Sequence, residues 1–400
     1  MKKFTDFNFS MCTEIVFGIG AEKKVAGLIR KYGGTKVMFV YGGGSIKKSG
    51  LYDTVVNELG SAGITFIELG GVQPNPRRSY AENGLRIAQD EKVDFLLGVG
   101  GGSAIDTAKA IALGLAHDGE YWKFFKGVEP LKMAPVGAIT TISAAGSETS
   151  GASVLVDDVE TNRKFGFIYP AVRPIFAIMN PELIYSVPPY QKGAGVADIF
   201  SHICMRYFID ADCYLGDQFC EGAMRAVVKY GPIVCASSMN YEAHAEIMLA
   251  AAFCQNDLLN LGRYTKNRGG EHALERQLSG HYDTVHGAGL AVIMPAWLQY
   301  IVNHGNEAQA ARVARFGVKV FDVDPDMADI RDTANEGLRR FRSWIKTIGM
   351  PLTLKELGIP KEDLSDLIDR CVNDNGGTLP GFMPLAHNAV AEIFTSIAGN

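Results

Sequence analysis

The sequence predicts an α/β domain built on a parallel sheet, followed by an all-helical domain. Its 400 residues exceed what one hydrophobic core usually holds, so two domains are expected. From residue 35 to about 180, apolar strand-like segments alternate with amphipathic helices, the pattern of a parallel sheet covered by helices. After Val187-Pro188-Pro189 the periodicity is almost entirely helical. We therefore expect domains at residues 1–183 and 184–400.

The predicted elements follow from apolar periodicity and from the glycines and prolines that interrupt it. Residues 37–41 are the first clear strand, and glycines 42–44 end it. A helix follows with Leu51, Val55 and Leu59 on one face. The next predicted elements are strand 64–69, helix 79–92, strand 95–99, helix 103–115 and strands 138–142, 153–156 and 175–179. Helical periodicity is clearest at 195–208, 220–230 and 242–261, and a last helix follows a Gly/Pro loop at 376–381.

The composition favours a globular protein that acts on a small molecule. Hydrophobic residues make up 47% and charged residues 21% of the chain, and the net charge is -5. This acidic balance disfavours nucleic acid and anionic membranes as partners. The start of the chain is polar and no apolar run is long enough to span a membrane. Seven cysteines without a Cys-x-x-Cys pair indicate reduced thiols, so a cytoplasmic location is expected.

A glycine cluster lies between a predicted buried strand and a predicted helix. Gly100, Gly101, Gly102 and Ser103 occupy this turn. Glycines let backbone N–H groups approach a diphosphate, and the helix N-terminus adds partial positive charge. The run is not the Gly-x-Gly-x-x-Gly fingerprint, and a tight turn that needs positive φ is the alternative interpretation.

The end of the first clear strand bears on the choice of coenzyme. Dinucleotide sites usually place a carboxylate here to bind the adenosine ribose hydroxyls. This chain instead has glycines 42–44 and Ser45, followed by Lys47 and Lys48. A 2'-phosphate would meet a hydroxyl, N–H groups and a lysine, so the sequence favours NADP(H) over NAD(H). A loop with two solvated lysines is the alternative.

Four residues of the second domain are candidate metal ligands. Asp198 and His202 are four apart in a helical stretch and share a face, although such a pair is often only a surface or capping contact. His272 and His286 fall in a segment that also contains His281. Three imidazoles and one carboxylate suit Fe(II) or Zn(II) and would leave a site charge of about +1. With the glycine turn, this set indicates metal-assisted hydride transfer.

These features, in order and along nearly the whole chain, resemble the iron-containing (group III) alcohol dehydrogenases and in particular their butanol dehydrogenase-like branch. The stretches that carry the resemblance are residues 14–18, 41–48, 74–76, 100–109, 140–148, 180–181, 198–202 and 272–291. The resemblance implies a Rossmann-like nucleotide-binding domain, an all-α metal-binding domain in a dehydroquinate synthase-like architecture, and an active site in the cleft between them. It also implies a homodimer.

The resemblance assigns roles to individual residues. It implies that Asp198, His202, His272 and His286 hold a divalent metal, Fe²⁺ or Zn²⁺, and that Lys164 lies by the nicotinamide and the metal. The residues implied along the nucleotide are Gly42, Gly43, Ser45, Asn75, Gly100, Gly101, Gly102, Ser103, Thr140, Ser143 and Thr149. The expected activity is reversible hydride transfer between nicotinamide C4 and a small aldehyde or primary alcohol, whose oxygen the metal polarises.

Three positions depart from the family pattern. Arg276 replaces a common second histidine one turn after His272, His281 replaces a bulky apolar residue, and Met205 replaces a common glutamate. We hypothesise that His281 takes over the proton relay of the missing histidine. The alternatives to an aldehyde or alcohol substrate are a glycerol or polyol dehydrogenase, a lyase resembling dehydroquinate synthase, and a non-catalytic nucleotide-binding relative.

Overall fold

The chain forms two compact units. The computed structural model describes residues 2–236, 239–263, 269–325 and 329–399. The sheet unit comprises Ser10–Val187 and Ala251–Asn256, and the helical unit comprises Met1–Phe9, Pro188–Ala250 and Asp257–Asn400. The division therefore lies at Pro188, whereas the sequence prediction places it at residue 183. Met1–Phe9 belongs to the helical unit although it precedes the sheet unit in the chain, and Ala251–Asn256 belongs to the sheet unit although residues of the helical unit flank it.

Ten strands occur in the described residues. They are β1 (Lys2–Lys3), β2 (Glu14–Phe17), β3 (Lys36–Tyr41), β4 (Thr65–Gly70), β5 (Phe95–Gly100), β6 (Val136–Thr140), β7 (Ala152–Val156), β8 (Lys164–Ile168), β9 (Phe176–Met179) and β10 (Ala211–Asp212). Six of them form a parallel sheet in the order β2-β9-β6-β5-β3-β4. β7 and β8 pair as an antiparallel hairpin, and β1 pairs with β10 in the helical unit.

Helices cover both faces of the parallel sheet. They are α1 (Val25–Lys31), α2 (Ser45–Lys48), α3 (Leu51–Ser61), α4 (Arg78–Asp90), α5 (Gly102–Ala116) and α6 (Trp122–Phe125). β3 alternates between two cores: Met38 and Val40 belong to the cluster that includes residues of α4 and α5, and Val37 and Phe39 to the cluster that includes residues of α1 and α3. Burial on both faces explains why this strand is a continuous apolar run.

The second unit is helical, as predicted. Its helices are α7 (Pro189–Tyr207), α8 (Tyr214–Cys235), α9 (Tyr241–Cys254), α10 (Gly270–His281), α11 (His286–His304), α12 (Glu307–Phe321), α13 (Ile330–Thr347), α14 (Leu364–Asp374) and α15 (His387–Ser396). The single helix predicted over 242–261 ends at Cys254, and its last turn belongs to the sheet unit. α7 starts at Pro189, where the sequence predicted the change to helical periodicity, because proline is tolerated in the first turn of a helix.

Six of the seven cysteines lie in the protein interior. All seven cysteines are free thiols, and only Cys12 is exposed. Among the described residues, no helix has both the length and the hydropathy needed to cross a membrane.

Candidate active site

The loops predicted to bind the nucleotide follow neighbouring strands at the carboxyl edge of the parallel sheet. β3 pairs with β5, and β5 pairs with β6, where Gly100 stands opposite Thr140. The chain passes from β3 outward to β4 and then returns to the other side of β3 to form β5. The crevice between β3 and β5 is therefore the point where the strand order reverses. Open α/β sheets bind their ligands at this kind of position.

The turn after β5 requires its glycines. Gly100 has φ +146°, a conformation that side chains disfavour, and a Cβ on Gly101 would lie 2.8 Å from Cγ2 of Ile142. α5 begins directly after this turn and is 15 residues long, so its first N–H groups and its dipole favour an anion. Gly102 and Ser103 form its first turn. The four positions predicted for the diphosphate thus share one backbone cradle.

The loop after β3 carries no acidic side chain, but a neighbouring strand supplies one. Glu68 of β4 accepts hydrogen bonds from the Tyr41 hydroxyl at 2.6 Å and the Tyr52 hydroxyl at 2.7 Å. These two bonds hold the pKa of the Glu68 carboxyl below its usual range. The Lys47 ammonium lies 4.6 Å from the centre of the Tyr52 ring. Ser45 and the glycines before it remain open to solvent or partly so.

Three hydroxyl residues predicted along the nucleotide differ in what their oxygens do. Thr140 ends β6, and its Oγ1 donates to the Ile142 carbonyl at 3.0 Å. Thr149 is fully buried, and its Oγ1 donates to the carbonyl of Ala252. Ser143 is also buried, yet its Oγ has no hydrogen-bond partner among the described residues. Of the three, Ser143 has the hydroxyl best able to accept a ligand contact.

Asn75 and Lys164 lie elsewhere in the sheet unit. Asn75 follows β4 and has φ +53°, which asparagine tolerates better than most residues. Lys164 starts β8 and stands opposite Val156 in the antiparallel hairpin, where it is half-buried. The role by the nicotinamide and the metal that the resemblance implies for Lys164 stays a prediction.

A buried lysine anchors the loop between β6 and β7. The Lys109 ammonium donates to the carbonyls of Ser147, Ser150 and Ala152 at 2.7 to 2.9 Å and to the Ser147 hydroxyl at 2.9 Å. Ser147 Oγ also donates to Asp106 at 2.5 Å. Burial lowers the pKa of Lys109 to about 8. These bonds tie the loop to α5 about two turns after the glycine turn.

Glu148 of this loop gives a pH-dependent prediction. Burial raises the pKa of its carboxyl from an ordinary 4.5 to about 7. Below pH 4.5 the group is protonated in both states, whereas between 4.5 and 7 only the folded state keeps the proton. The stability of the protein is therefore reduced as pH rises through this window, by about 3 kcal/mol in total.

We expect Glu148→Gln to remove this loss. The variant and the parent should have similar urea midpoints at pH 5, and the variant should be more stable at pH 8. Unfolding of metal-free protein at the two pH values measures the difference, with Glu129→Gln, an exposed glutamate of the same unit, as control. Equal urea midpoints at pH 8 would contradict the prediction.

Three of the four predicted metal ligands form a compact buried group. Asp198 and His202 are one turn apart on α7, and His202 Nε2 lies 3.4 Å from Asp198 Oδ1. His272 comes from the first turn of α10, and its ring centroid is 4.7 Å from that of His202. One ligand atom of each residue lies within 4.8 Å of the others. The three side chains are buried, so an ion here would be largely shielded from water.

His286, the first residue of α11, lies beside this group but outside the set whose ligand atoms are all within 4.8 Å of one another. Its Nε2 lies 3.9 Å from Asp198 Oδ1, and its ring centroid lies 5.5 Å from that of His272. The residues fit a divalent ion by their chemistry, because imidazole and carboxylate suit Fe(II) and Zn(II). A second observation supports the fit, because the buried Nε2 of His272 has no hydrogen-bond partner among the described residues. A metal ion would satisfy this nitrogen.

Sequence reasoning missed two carboxylates behind the histidines. Glu271 Oε1 is 2.9 Å from His272 Nδ1, and Glu275 Oε2 contacts His286 Nδ1. Both glutamate side chains are fully buried. With Asp198 they bring the formal charge around a divalent ion to about -1, not the +1 expected from the four ligands alone. A glutamate directly before His272 and another three residues after it were the available signal.

The three residues that depart from the family pattern, His281, Arg276 and Met205, have different surroundings in the structure. His281 follows His272 by nine residues on α10, which places it on the opposite helix face, where Arg370 donates to its Nδ1 at 2.9 Å. The geometry gives no support to the relay role expected for His281. Arg276 is exposed one turn after His272 and takes part in no ion pair within the described ranges. Met205 is buried, and its sulfur would be 3.2 Å from a Cβ on Gly269.

Comparison with known families agrees with a class of enzyme that combines a nucleotide-binding sheet domain with a helical metal-binding domain. The family model for "Iron-containing alcohol dehydrogenase" matches residues 12–181, and the model for "Fe-containing alcohol dehydrogenase family, C-terminal" matches residues 193–398. The chain belongs to the iron-containing alcohol dehydrogenase family. This membership confirms the resemblance inferred from the sequence, and it implies a divalent metal and a nicotinamide cofactor.

Individual relatives extend over nearly the whole chain. NADH-dependent butanol dehydrogenase A of Clostridium acetobutylicum is 37% identical and aligns with 97% of this chain and 98% of its own length. NADPH-dependent aldehyde reductase YqhD of Escherichia coli is 30% identical over 94% and 95% of the two chains. The crystal structure of NADH-dependent butanol dehydrogenase A from Thermotoga maritima has a TM-score of 0.90 at 34% identity and covers 99% of both chains. The predicted fold is thereby confirmed.

Proposed function

We propose that this protein is a metal-dependent, NAD(P)-linked alcohol dehydrogenase or aldehyde reductase that interconverts a small aldehyde and its primary alcohol. The observation that carries the proposal is the buried group of Asp198, His202 and His272, whose ligand atoms lie within 4.8 Å of one another. A purely structural group of this kind would pair the buried Nε2 of His272, which instead has no hydrogen-bond partner among the described residues. The names of the butanol dehydrogenase and aldehyde reductase relatives support the substrate class.

Residues of the helical unit would bind the metal, and residues of the sheet unit would bind the nucleotide. When bound, the metal polarises the substrate oxygen, and the nicotinamide exchanges the hydride. Asp198, His202, His272 and His286 would hold the metal in the helical unit. In the sheet unit, the glycine turn before α5 would bind the diphosphate through backbone N–H groups. Neither role requires a covalent intermediate on the protein.

We infer that NADP(H) is favoured over NAD(H). The loop at Ser45 carries no carboxylate, and the nearby Glu68 already accepts two tyrosine hydroxyls. A 2'-phosphate would therefore meet no carboxylate on this loop and would lie near Lys47 and Lys48. Relatives named for each coenzyme exist, so the sequence around Ser45 and not family membership supports this inference.

Ser45→Asp tests the coenzyme inference. We expect it to lower kcat/KM for NADPH by about tenfold or more, since a carboxylate would repel the 2'-phosphate, and to leave the value for NADH within a few-fold. Ser49→Asp adds the same charge at the end of α2 and is the matched control. If the parent enzyme uses NADH more efficiently than NADPH, the inference is overturned whatever the variant does.

A substrate panel tests the proposed function itself. Purified protein is analysed for bound metal and assayed by nicotinamide absorbance with butanal, glycerol and a carboxylated aldehyde, with iron, with zinc and after treatment with a chelator. Butanal reduction that a chelator abolishes and a metal restores supports the proposal. Preference for glycerol would favour the polyol alternative, and metal-bound protein without any activity would favour a non-catalytic relative.

The oligomeric state, the ligand class and the cellular location are proposed as well. We propose a homodimer and a small aldehyde or alcohol as the ligand, and a cytoplasmic location. Light scattering on the purified protein measures the mass of the assembly, and a monomer at micromolar concentration would contradict the dimer.

A further inference from the structure

We propose that Glu271 and Glu275 are positioning residues of the metal site, each of which fixes the tautomer and orientation of one histidine ligand. The inference rests on the proposed ligand assignment but not on any particular substrate. It adds two carboxylates to a site that the sequence predicted from four residues only. Both carboxylates belong to α10.

The first pair is Glu271 with His272. Glu271 Oε1 lies 2.9 Å from His272 Nδ1, which therefore acts as the hydrogen-bond donor to the carboxylate. A neutral imidazole that carries its proton on Nδ1 keeps a lone pair on Nε2. Nε2 is the atom of His272 that lacks a partner within the described residues. The carboxylate thus selects the tautomer that a metal ion needs.

The second pair is Glu275 with His286. Glu275 Oε2 contacts Nδ1 of His286, and the opposite nitrogen, Nε2, is the one 3.9 Å from Asp198 Oδ1. His286 is the most exposed of the four ligands, with 34% of its side chain accessible. An exposed ring at the start of a helix has more rotational freedom than a buried one, so this ligand depends most on a partner that holds it.

The packing around Glu275 leaves room for its carboxylate. Ser279, one turn later on α10, donates to Glu275 Oε2 at 3.2 Å. Gly289, one turn after His286 on α11, lies directly against the side chain: a Cβ there would be 2.8 Å from Oε1 and 2.9 Å from Cγ. Any other residue at 289 would displace the carboxylate. Residues of α10 and α11 therefore both determine the position of the Glu275 carboxylate.

Burial makes a purely structural role for these carboxylates costly. Both side chains have no exposed surface, and Glu271 Oε2 has no hydrogen-bond partner among the described residues. Burying a carboxylate is unfavourable unless opposite charge compensates it. A divalent cation held by the two adjacent histidines would supply that charge. The same carboxylates would hold the imidazoles in the orientation that metal binding needs.

Metal affinity of the variants tests the proposal without an activity assay. Apo protein is titrated with Zn²⁺ in competition with a chromophoric chelator. We expect Glu275→Gln and Glu271→Gln each to weaken binding by about 10- to 100-fold. Glu392→Gln is the matched control, because Glu392 accepts from a histidine of the same unit, His304 at 2.8 Å, that is not a predicted ligand. The control should bind zinc within about twofold of the parent.

The thermal stability of the apo variants separates positioning from a structural role. Removal of a buried charge should leave the apo protein at least as stable, whereas the increase in Tm on adding zinc should shrink. A lower apo Tm with unchanged zinc affinity would overturn the proposal. Gly289→Ala provides a second route, since it displaces the carboxylate without changing its charge, and it should also weaken zinc binding.

Asp198→Asn distinguishes failure of this inference from failure of the proposed function. If it binds zinc like the parent, the ligand assignment itself is wrong. If it loses zinc binding while both glutamate variants bind normally, the four ligands stand and only the positioning role is refuted.

Discussion

Asp198→Ala should lower kcat/KM for aldehyde reduction by about 10³-fold or more and abolish stable metal binding. Asp198 is the only carboxylate among the four predicted ligands, and its Oδ1 is within 3.4 Å of His202 Nε2 and 3.9 Å of His286 Nε2. Its loss removes the central negative charge of the group and leaves three imidazoles that no longer share a common neighbour.

Metal analysis and steady-state kinetics on the same preparations measure this effect. Asp332→Ala, an exposed aspartate in the first turn of α13, is a suitable control and should behave like the parent. Circular dichroism establishes that the variant is folded. Retention of both metal and activity in Asp198→Ala would remove the basis of the proposed function.

Gly287→Ala should destabilise the protein by about 3 kcal/mol or more and weaken metal binding. A Cβ on Gly287 would lie 1.9 Å from the carbonyl oxygen of Ala194, so α7 and α11 can approach this closely only with glycine at this position. Backbone cannot move aside as a flexible side chain can. The helices must separate, and His286 then moves away from Asp198.

Gly222→Ala is the matched control for this prediction. Gly222 is inside α8 of the same unit, and a Cβ there would meet nothing within 4 Å. Its replacement should stabilise the helix by up to about 1 kcal/mol, because alanine has the higher helix propensity. Urea unfolding of the apo proteins gives the stability, and zinc titration gives the affinity. Similar midpoints for both glycine variants would show that α7 and α11 can relax.

The sheet unit was readable from sequence because its signals are local. A short apolar run such as 95–99 that is followed by glycines favours a buried strand, and these glycines mark the turn into α5. The order of the strands was not readable, since pairing between β3 and β5 depends on contacts distant in sequence. Only the fold shows that the two glycine loops lie side by side at the point where the strand order reverses.

The sequence identified the candidate metal ligands by residue type and by resemblance. It did not identify the two carboxylates that contact the histidines. Asp198 and His202 share a helix face by their spacing alone. The sequence also offers His281 close to the ligands, and it cannot say whether His281 faces inward. Helix α10 turns His281 toward Arg370 and buries Glu275 beside His286.

The sequence by itself determined the alternation of strands and helices, the two glycine turns, the four candidate ligands and, through its motifs, the family. Each of these depends on the identity of residues close together along the chain. The tertiary structure decided the charge around the site and the place of Ala251–Asn256 in the sheet unit. Both depend on how the packed chain buries groups that no single segment places by itself, and burial is a property of the whole fold.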